Sequence, residues 1–164
     1  MANRALTGIL LVGGSSIRFG SPKELAEYQG EMLTDRAWRL LGDTCDERLA
    51  VGPGGLPDPG TGPVAAIAVG LQAATHDLAV VIPVDMPLLT VDALHSLADA
   101  CRDAAVAQAG PLPCAVARSA LPAFETGERR LGSVLDVLDT VQIDLEAGLL
   151  ANVNTRADLD TLAP

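Results

Sequence analysis

The 164-residue sequence has few aromatic side chains, 2% of the total, and only 11 basic residues against 21 acidic ones. Its formal net charge of −10 argues against a nucleic-acid duplex or an anionic membrane as a partner, because such binding depends on Lys and Arg neutralising phosphates. We therefore expect no nucleic acid and no membrane among the partners. Any phosphate that the protein binds must be held by a local group of residues.

Cysteines are few and isolated, since Cys45, Cys101 and Cys114 are widely spaced. Their odd number and the absence of any C-x-x-C pair argue against a disulfide framework and against a zinc site, so a reducing cytoplasm is the expected location. The sequence also lacks an apolar stretch near ~18 residues, and the run Leu6–Val12 is too short for a signal peptide with its cleavage site. We therefore predict neither a membrane span nor a secretory leader.

Apolar residues make up 49% of the sequence. They occur in short runs that alternate with segments of helical spacing. The predicted strands are Leu6–Val12, Arg48–Val51, Leu78–Val84, Ala104–Ala107 and Cys114–Ala117, and Val141–Leu145 and Leu149–Val153 also alternate or run apolar. The predicted helices are Leu33–Leu41, one opening at Pro63, one from Thr90 to about Arg102, Leu131–Leu138, and one opening at Thr155. This alternation predicts a single α/β domain over 1–164, with a mostly parallel sheet.

A glycine-rich loop follows the first predicted strand, from Gly13-Gly14 to Lys23. Glycines let backbone N–H groups approach phosphate oxygens closely, and Arg18 and Lys23 add positive charge. Lys23 is the only lysine in the chain, against ten arginines. The loop is neither a Walker loop, because Lys23 is not followed by Ser or Thr, nor a dinucleotide fingerprint, because no helix opens directly after the glycines. The pattern indicates a phosphate-binding loop, with a flexible surface turn as the alternative.

Asp85 directly follows the continuous apolar run Leu78–Val84, which is typical of a central strand. Ligands of open α/β sheets bind outside the carboxyl ends of the strands, where a carboxylate can join Mg²⁺ to substrate phosphates. The alternative is that Asp85 only caps the turn at Met86-Pro87. Taken with the glycine-rich loop, we expect Lys23 and Asp85 to converge on one triphosphate.

Five ordered segments resemble one known family. They are Leu-Val-Gly-Gly-Ser-Ser-x-Arg-x-Gly-x-x-Lys at 11–23, Gly-Pro-Val-Ala-Ala-Ile at 62–67, Pro-Val-Asp-Met-Pro at 83–87, Gly-Glu-Arg-Arg at 127–130 and Asn-Val-Asn-Thr-Arg-Ala-Asp-Leu at 152–159. Together they look like a molybdenum cofactor guanylyltransferase, and they cover nearly the whole chain.

The resemblance implies a three-layer Rossmann-like sandwich of the nucleotidyltransferase type, with GTP as donor, Mg²⁺ as cofactor and the terminal phosphate of molybdopterin as acceptor. Molybdenum-cofactor delivery proteins are further partners that it suggests. It also implies roles for individual residues. Arg18 and Lys23 bind the phosphates, Asp85 binds the metal, these three are the catalytic residues, and Asn152 and Asn154 bind the acceptor. The nucleotide-binding residues that it implies are Leu11, Val12, Gly13, Gly14, Lys23, Asp58 and Asp85.

The implied reaction needs no protein nucleophile: an acceptor phosphate oxygen attacks the α-phosphorus of GTP and pyrophosphate leaves. Neither histidine of the sequence is assigned a role. The cluster Glu128-Arg129-Arg130 either contacts an anionic acceptor or is a solvated group of charges.

Two alternatives stay open. One is a related enzyme that uses CTP on molybdopterin, or GTP on another phosphorylated molecule as a phospholactate guanylyltransferase does. The other is a catalytically weak nucleotide-binding protein, because Val12, Pro22, Ala66 and Leu112 depart from the family pattern.

Overall fold

The structure is a computed structural model that describes residues 4–13 and 26–162. Its strands are β1 (Leu6–Leu11), β2 (Glu27–Tyr28), β3 (Glu31–Met32), β4 (Glu47–Val51), β5 (Leu78–Pro83), β6 (Ala104–Ala107), β7 (Gly110–Ala117) and β8 (Thr140–Ile143). Its α-helices are α1 (Leu33–Thr44), α2 (Pro63–Ala73), α3 (Val91–Ala100), α4 (Leu131–Asp136) and α5 (Arg156–Leu162). Two 3₁₀ helices cover Arg118–Phe124 and Ala147–Leu150.

Six strands form the central sheet in the order β4-β1-β5-β7-β6-β8. The pairs β1–β4, β1–β5 and β6–β8 are parallel, and β7 runs antiparallel to both β5 and β6. The prediction of a mostly parallel sheet is therefore confirmed. A separate two-stranded hairpin, β2–β3, precedes α1.

The sheet divides two apolar cores, because side chains alternate between its faces. On β5, Leu78, Val80 and Ile82 belong to one core, while Ala79 and Val81 belong to the other. The first core includes buried residues of α1, α3 and α5, and the second includes those of α2, α4 and the 3₁₀ helix Arg118–Phe124. This arrangement confirms the three-layer sandwich and explains why β5 reads as a continuous apolar run.

Two predicted helix starts are confirmed by their caps. The hydroxyl of Thr90 accepts a hydrogen bond from the backbone N–H of Ala93 at 3.2 Å. At α5 the bonding is reciprocal: Oγ1 of Thr155 accepts from the N–H of Asp158 at 3.1 Å, and Oδ2 of Asp158 accepts from the N–H of Thr155 at 3.0 Å.

Several predicted boundaries were wrong. The helix predicted to reach Arg102 ends at Ala100, where the N–H of Cys101 turns back to the carbonyl of Ala98 at 3.3 Å. The helix α4 ends two residues before Leu138. Strand β7 begins four residues before Cys114, although proline, which gives strands no N–H donor, occurs twice in the added part.

The segment Leu149–Val153 contains no strand. Its first two residues complete the 3₁₀ helix Ala147–Leu150, and the N–H of Val153 donates to the carbonyl of Asp85 at 2.7 Å instead of to a neighbouring strand. Across the described residues, every helix is too short or too polar to cross a membrane.

Candidate active site

A cavity of about 310 Å³ opens at the carboxyl ends of β1 and β5. Its lining residues are Leu11, Val12, Gly13, Asp58, Gly60, Gly62, Pro63, Ala66, Pro83, Val84, Asp85 and Leu112. In the sheet, β4 lies on one side of β1, and β5, the next strand of this sheet along the chain, lies on the other side of β1. The cavity therefore lies where the strand order reverses, which is the usual ligand position in open α/β sheets.

The end of β1 forms the floor of the cavity through its backbone. The N–H of Val12 donates to the carbonyl of Val51 at 2.8 Å, and the Val12 side chain is buried. Gly52 packs so closely against this turn that a Cβ atom there would lie 1.5 Å from the Val12 carbonyl oxygen. Glycine at this position therefore permits the close approach of the chain after β4 to the end of β1.

Asp58 reaches the cavity from the glycine- and proline-rich loop that follows β4. Its Oδ1 accepts a hydrogen bond from the N–H of Gly60 at 2.8 Å, which fixes the local turn. A Cβ atom built on Gly13 would lie 3.4 Å from Oδ2 of Asp58. The carboxylate thus lies against the first glycine of the predicted phosphate-binding loop.

Asp85 lies in a turn that two other parts of the chain hold. Its carbonyl accepts from the N–H of Val153 at 2.7 Å, and the carbonyl of Pro87 accepts from Nε of Arg36 at 2.6 Å. The Arg36 guanidinium also packs over the ring of Tyr28, 5.1 Å from its centroid. Oδ1 of Asp85 is buried from solvent. The residue also lines the cavity, at the carboxyl end of β5.

The charges that line the described part of the cavity are the two carboxylates of Asp58 and Asp85. They would repel a triphosphate unless cations accompany it. The first turn of α2, with Gly62, Pro63 and Ala66 in the lining, also brings the positive end of a helix dipole to the cavity and has no acidic residue. An anionic ligand bound here would need a cation between itself and the carboxylates.

The donor set fits magnesium better than a metal that needs a closed protein cage. No group of three or more His, Cys, Asp or Glu residues that could hold a metal occurs within 4–13 and 26–162. Mg²⁺ commonly takes one or two carboxylates and completes its shell with waters and substrate phosphates. Asp85, with Asp58 in the same cavity, provides such a partial set.

The structure brings together five of the residues predicted to bind the nucleotide. Leu11, Val12, Gly13, Asp58 and Asp85 all line the one cavity, although they come from three separate stretches of the chain. Gly14, Arg18 and Lys23 lie outside the described residues, as does the expected meeting of Lys23 with Asp85.

The two predicted acceptor residues do not line the cavity. Asn152 and Asn154 instead flank Val153, whose N–H is bonded to the carbonyl of Asp85. They therefore lie next to the cavity on the side of the Asp85 turn.

Sequence reasoning missed part of the cavity wall. Gly60, Gly62, Pro63, Pro83 and Val84 also contribute to the lining. Gly60, Gly62 and Pro63 come from the loop after β4 and the start of α2, and Pro83 and Val84 from the end of β5. All except Gly60 lie in segments that resemble the family, but glycine and apolar side chains carry no chemistry that marks them as ligand contacts.

The substitutions singled out as departures from the family pattern cluster in space. Val12, Ala66 and Leu112 all line the cavity, whereas Pro22 lies outside the described residues.

The basic cluster Glu128-Arg129-Arg130 is bonded to the loop next to the cavity. Nε of Arg129 donates to the carbonyl of Thr61 at 3.2 Å. The basic cluster of Arg129 is therefore bonded to the loop that carries Asp58.

Comparison with known families gives a match over residues 8–142 to the MobA-like NTP transferase domain. A probable molybdenum cofactor guanylyltransferase of Deinococcus radiodurans is 36% identical, over 96% of this chain and 94% of its own length. A protein of the same name from Chloroflexus aggregans is 33% identical, over 94% and 91%. The chain belongs to the molybdenum cofactor guanylyltransferase family.

Solved structures agree on the fold. Molybdopterin-guanine dinucleotide biosynthesis protein A of Archaeoglobus fulgidus superposes with a TM-score of 0.79 at 22% identity, covering 95% of this chain and 96% of its own. A nucleotidyl transferase of Methanothermobacter gives a TM-score of 0.82 at 16% identity, over 98% and 96%. As a MobA-like NTP transferase, the protein is an enzyme of the nucleotidyltransferase class. The family match ends at residue 142, before the segment with Asn152 and Asn154.

Proposed function

We propose that this enzyme transfers GMP from GTP to the terminal phosphate of molybdopterin or its molybdenum-bearing form, with Mg²⁺, and releases pyrophosphate. The single observation that supports this most is the convergence of Leu11, Val12, Gly13, Asp58 and Asp85 on one cavity at the carboxyl ends of β1 and β5. The identity of the acceptor is inferred from the names of the relatives, which are probable molybdenum cofactor guanylyltransferases. The free cysteines accord with a reducing cytoplasm as the place of action.

In this mechanism the protein binds, orients and shields the reactants. The backbone of Leu11–Gly13 receives the nucleotide, and Asp58 binds on the guanosine side. Asp85, together with the phosphates, would hold Mg²⁺, which when bound would supply charge neutralisation at the phosphoryl groups.

The phosphates themselves are bound by the glycine-rich loop, in which Gly14, Arg18 and Lys23 contribute an N–H group and two cations. Asn152 and Asn154 hold the acceptor beside the Asp85 turn. Positioning an acceptor oxygen in line with the α-phosphorus supplies much of the rate, because the two reactants no longer meet by diffusion. A delivery protein for the molybdenum cofactor remains a predicted partner.

Nucleotide preference tests the donor. Thermal shifts with GTP, CTP, ATP and UTP in magnesium should show the greatest stabilisation with GTP, about 2.7 kcal/mol at a concentration 100 times its Kd. Preferential stabilisation by CTP would remove the guanylyl assignment. Binding of GTP without pyrophosphate release in the presence of molybdopterin would instead indicate a nucleotide-binding protein.

Substitution of Asp85 tests the mechanism. Asp85→Asn keeps the size of the side chain but removes the charge, so we expect turnover to fall on the order of 100-fold. The matched control is Asp139→Asn, which alters an exposed carboxylate 3.6 Å from Arg102 at the opposite end of the sheet. Asp139→Asn should retain turnover, and an Asp85→Asn enzyme of near wild-type rate would refute the role of Asp85.

A further inference from the structure

The segment from 144 to 155, which we call the strap, leads from the end of β8 to α5. We propose that Asp158, at the start of α5, is a positioning residue for the acceptor, because its carboxylate fixes the part of the strap that carries Asn152 and Asn154. This inference rests on the proposed function, which gives those two asparagines to the acceptor.

The bonds from Asp158 reach the strap itself. Its Oδ2 accepts hydrogen bonds from the N–H groups of both Asn154, at 2.8 Å, and Thr155, at 3.0 Å. Hydrogen bonds to a charged carboxylate are shorter and stronger than neutral ones. One oxygen that holds two consecutive N–H groups restricts the peptide planes on either side of Asn154, and so restricts where its side chain can point.

The strap is also attached directly to the Asp85 turn. Val153 is completely buried, and its N–H donates to the carbonyl of Asp85 at 2.7 Å. Asn152 and Asn154 lie on either side of this anchored residue. A shift of the strap at Asn154 would therefore move Asn154 directly relative to Asp85, and would act on Asn152 through Val153.

The start of the strap, next to β8, has its own attachment. Nε2 of Gln108 donates to the carbonyl of Leu145 at 2.6 Å, and Oε1 of Gln108 accepts from the N–H of Leu145 at 2.9 Å. These two bonds extend the β6–β8 ladder beyond its last backbone pair, Ala107 with Ile143. The strap is thus held near its start by Gln108, which bonds Leu145, and near its end by Asp85, through Val153, and by Asp158.

The bonds from Asp158 lie on the acceptor side of the site. They hold Asn154 and Thr155, whereas the end of β1, which receives the nucleotide in the proposed function, is held by the carbonyl of Val51. Asp85 serves both sides, but the strap reaches it through Val153, whose bond does not involve Asp158. Loosening Asp158 should therefore raise the KM for the acceptor and leave GTP binding unchanged.

The test compares Asp158→Ala, Asp158→Ser and Asp158→Asn in steady-state assays with GTP and molybdopterin, alongside thermal shifts with GTP alone. We expect Asp158→Ala to raise the acceptor KM by about tenfold, since a small misplacement of positioning groups has effects of this size or larger. Its kcat and GTP-induced shift should remain within about twofold of wild type. Asp158→Asn keeps an accepting oxygen, so its acceptor KM should be close to that of the wild type. Asp158→Ser should have an acceptor KM between those of the asparagine and alanine variants, and it replaces the alanine variant in the test if that variant does not fold.

Asp103→Ala is the matched control. Oδ2 of Asp103 accepts from the N–H of Asp139 at 3.0 Å, the same kind of bond at the opposite end of the sheet. It should leave the acceptor KM unchanged. An unchanged acceptor KM in folded Asp158→Ala, or an equal loss of GTP binding and kcat, would overturn the inference. A wild-type enzyme without guanylyl transfer would instead refute the proposed function.

Discussion

Glu47 shows at the scale of one residue how a carboxylate can be structural in an acidic protein. It accepts hydrogen bonds from Oγ1 of Thr7 at 2.7 Å and from the N–H and hydroxyl of Thr75 at 2.9 and 3.2 Å. Burial acts to raise the pKa of Glu47, but these bonds, with a contribution from His76, hold that pKa below its usual value. The ionised form is therefore favoured in the folded state.

We expect Glu47→Ala to lower the free energy of unfolding by about 1–3 kcal/mol at neutral pH, because it leaves the buried Thr7 hydroxyl without its acceptor. A lowered pKa contributes stability above the unfolded-state value of 4.5, which is lost as the pH falls through the folded-state value. Urea unfolding from pH 7 to pH 3 should show the variant and wild type approaching each other at acid pH. A constant difference across that range would contradict the assignment.

The three cysteines differ in burial but share a raised pKa. All three are free in the structure. Burial raises the pKa of Cys114 and of Cys45 to about 12 and that of Cys101 to about 11, so each thiol stays protonated at neutral pH. Cys114 pairs in register with Val81 of β5 and is buried, so it acts as a small apolar side chain of the core.

Among the elements, the connection after β4 depends on the conformation of Gly52, which has φ of 129°. A side chain there would meet the Val12 carbonyl 1.5 Å from its Cβ, so the chain after β4 would have to move away from the cavity floor. We expect Gly52→Ala to destabilise the fold by about 3 kcal/mol or more, which is large for one substitution, and to weaken GTP binding.

Gly54→Ala is the control in the same loop. Gly54 also has positive φ, 84°, but a Cβ there meets nothing within 4 Å. Its cost should be only the backbone term of about 1–2 kcal/mol, with GTP binding retained. Equal losses of stability and GTP binding in the two variants, measured by thermal unfolding and nucleotide titration, would show that contact with Val12 is unimportant.

The elements also show which features local sequence can reveal. Strands β1 and β5 and helix α2 were predicted because their apolar runs and the proline at the helix start are local signals. The antiparallel direction of β7 was not predicted, because pairing partners are set by distant strands. The strap was missed for a similar reason: its Val153 is buried against the Asp85 turn and not within a sheet, and apolar spacing is the same in either case.

For the candidate site, the sequence located residues with a distinctive chemistry or backbone. Asp58, Asp85 and Gly13 were identified, and all three line the cavity. Leu112 was noted only as a departure from the family pattern, and its place in the cavity wall depends on how β7 packs beside β5. Three-dimensional pairing decides such contacts, so no local pattern could supply them.

At the scale of the whole molecule, 21 acidic side chains against 11 basic ones give a net charge of −10. Ion pairs among the described residues include Glu31 with Arg39 at 2.8 Å and with Arg36 at 3.8 Å, and Arg102 with Asp139 at 3.6 Å. These side chains are partly or largely exposed, and exposed pairs contribute little. Repulsion among the excess carboxylates should therefore outweigh attraction in the folded state.

We therefore expect NaCl to stabilise the protein between about 0.01 and 0.15 M, as the screening length falls from about 30 Å to 8 Å. A gain on the order of 1 kcal/mol would raise Tm by about 2–4 °C at this chain length. Calorimetry in a buffer without phosphate or magnesium avoids stabilisation by ligands. Lowering the pH toward the isoelectric point should shrink the salt effect, because protonated carboxyls no longer repel one another. A Tm that falls with added salt at neutral pH would mean instead that attractive pairs dominate the stability of the fold.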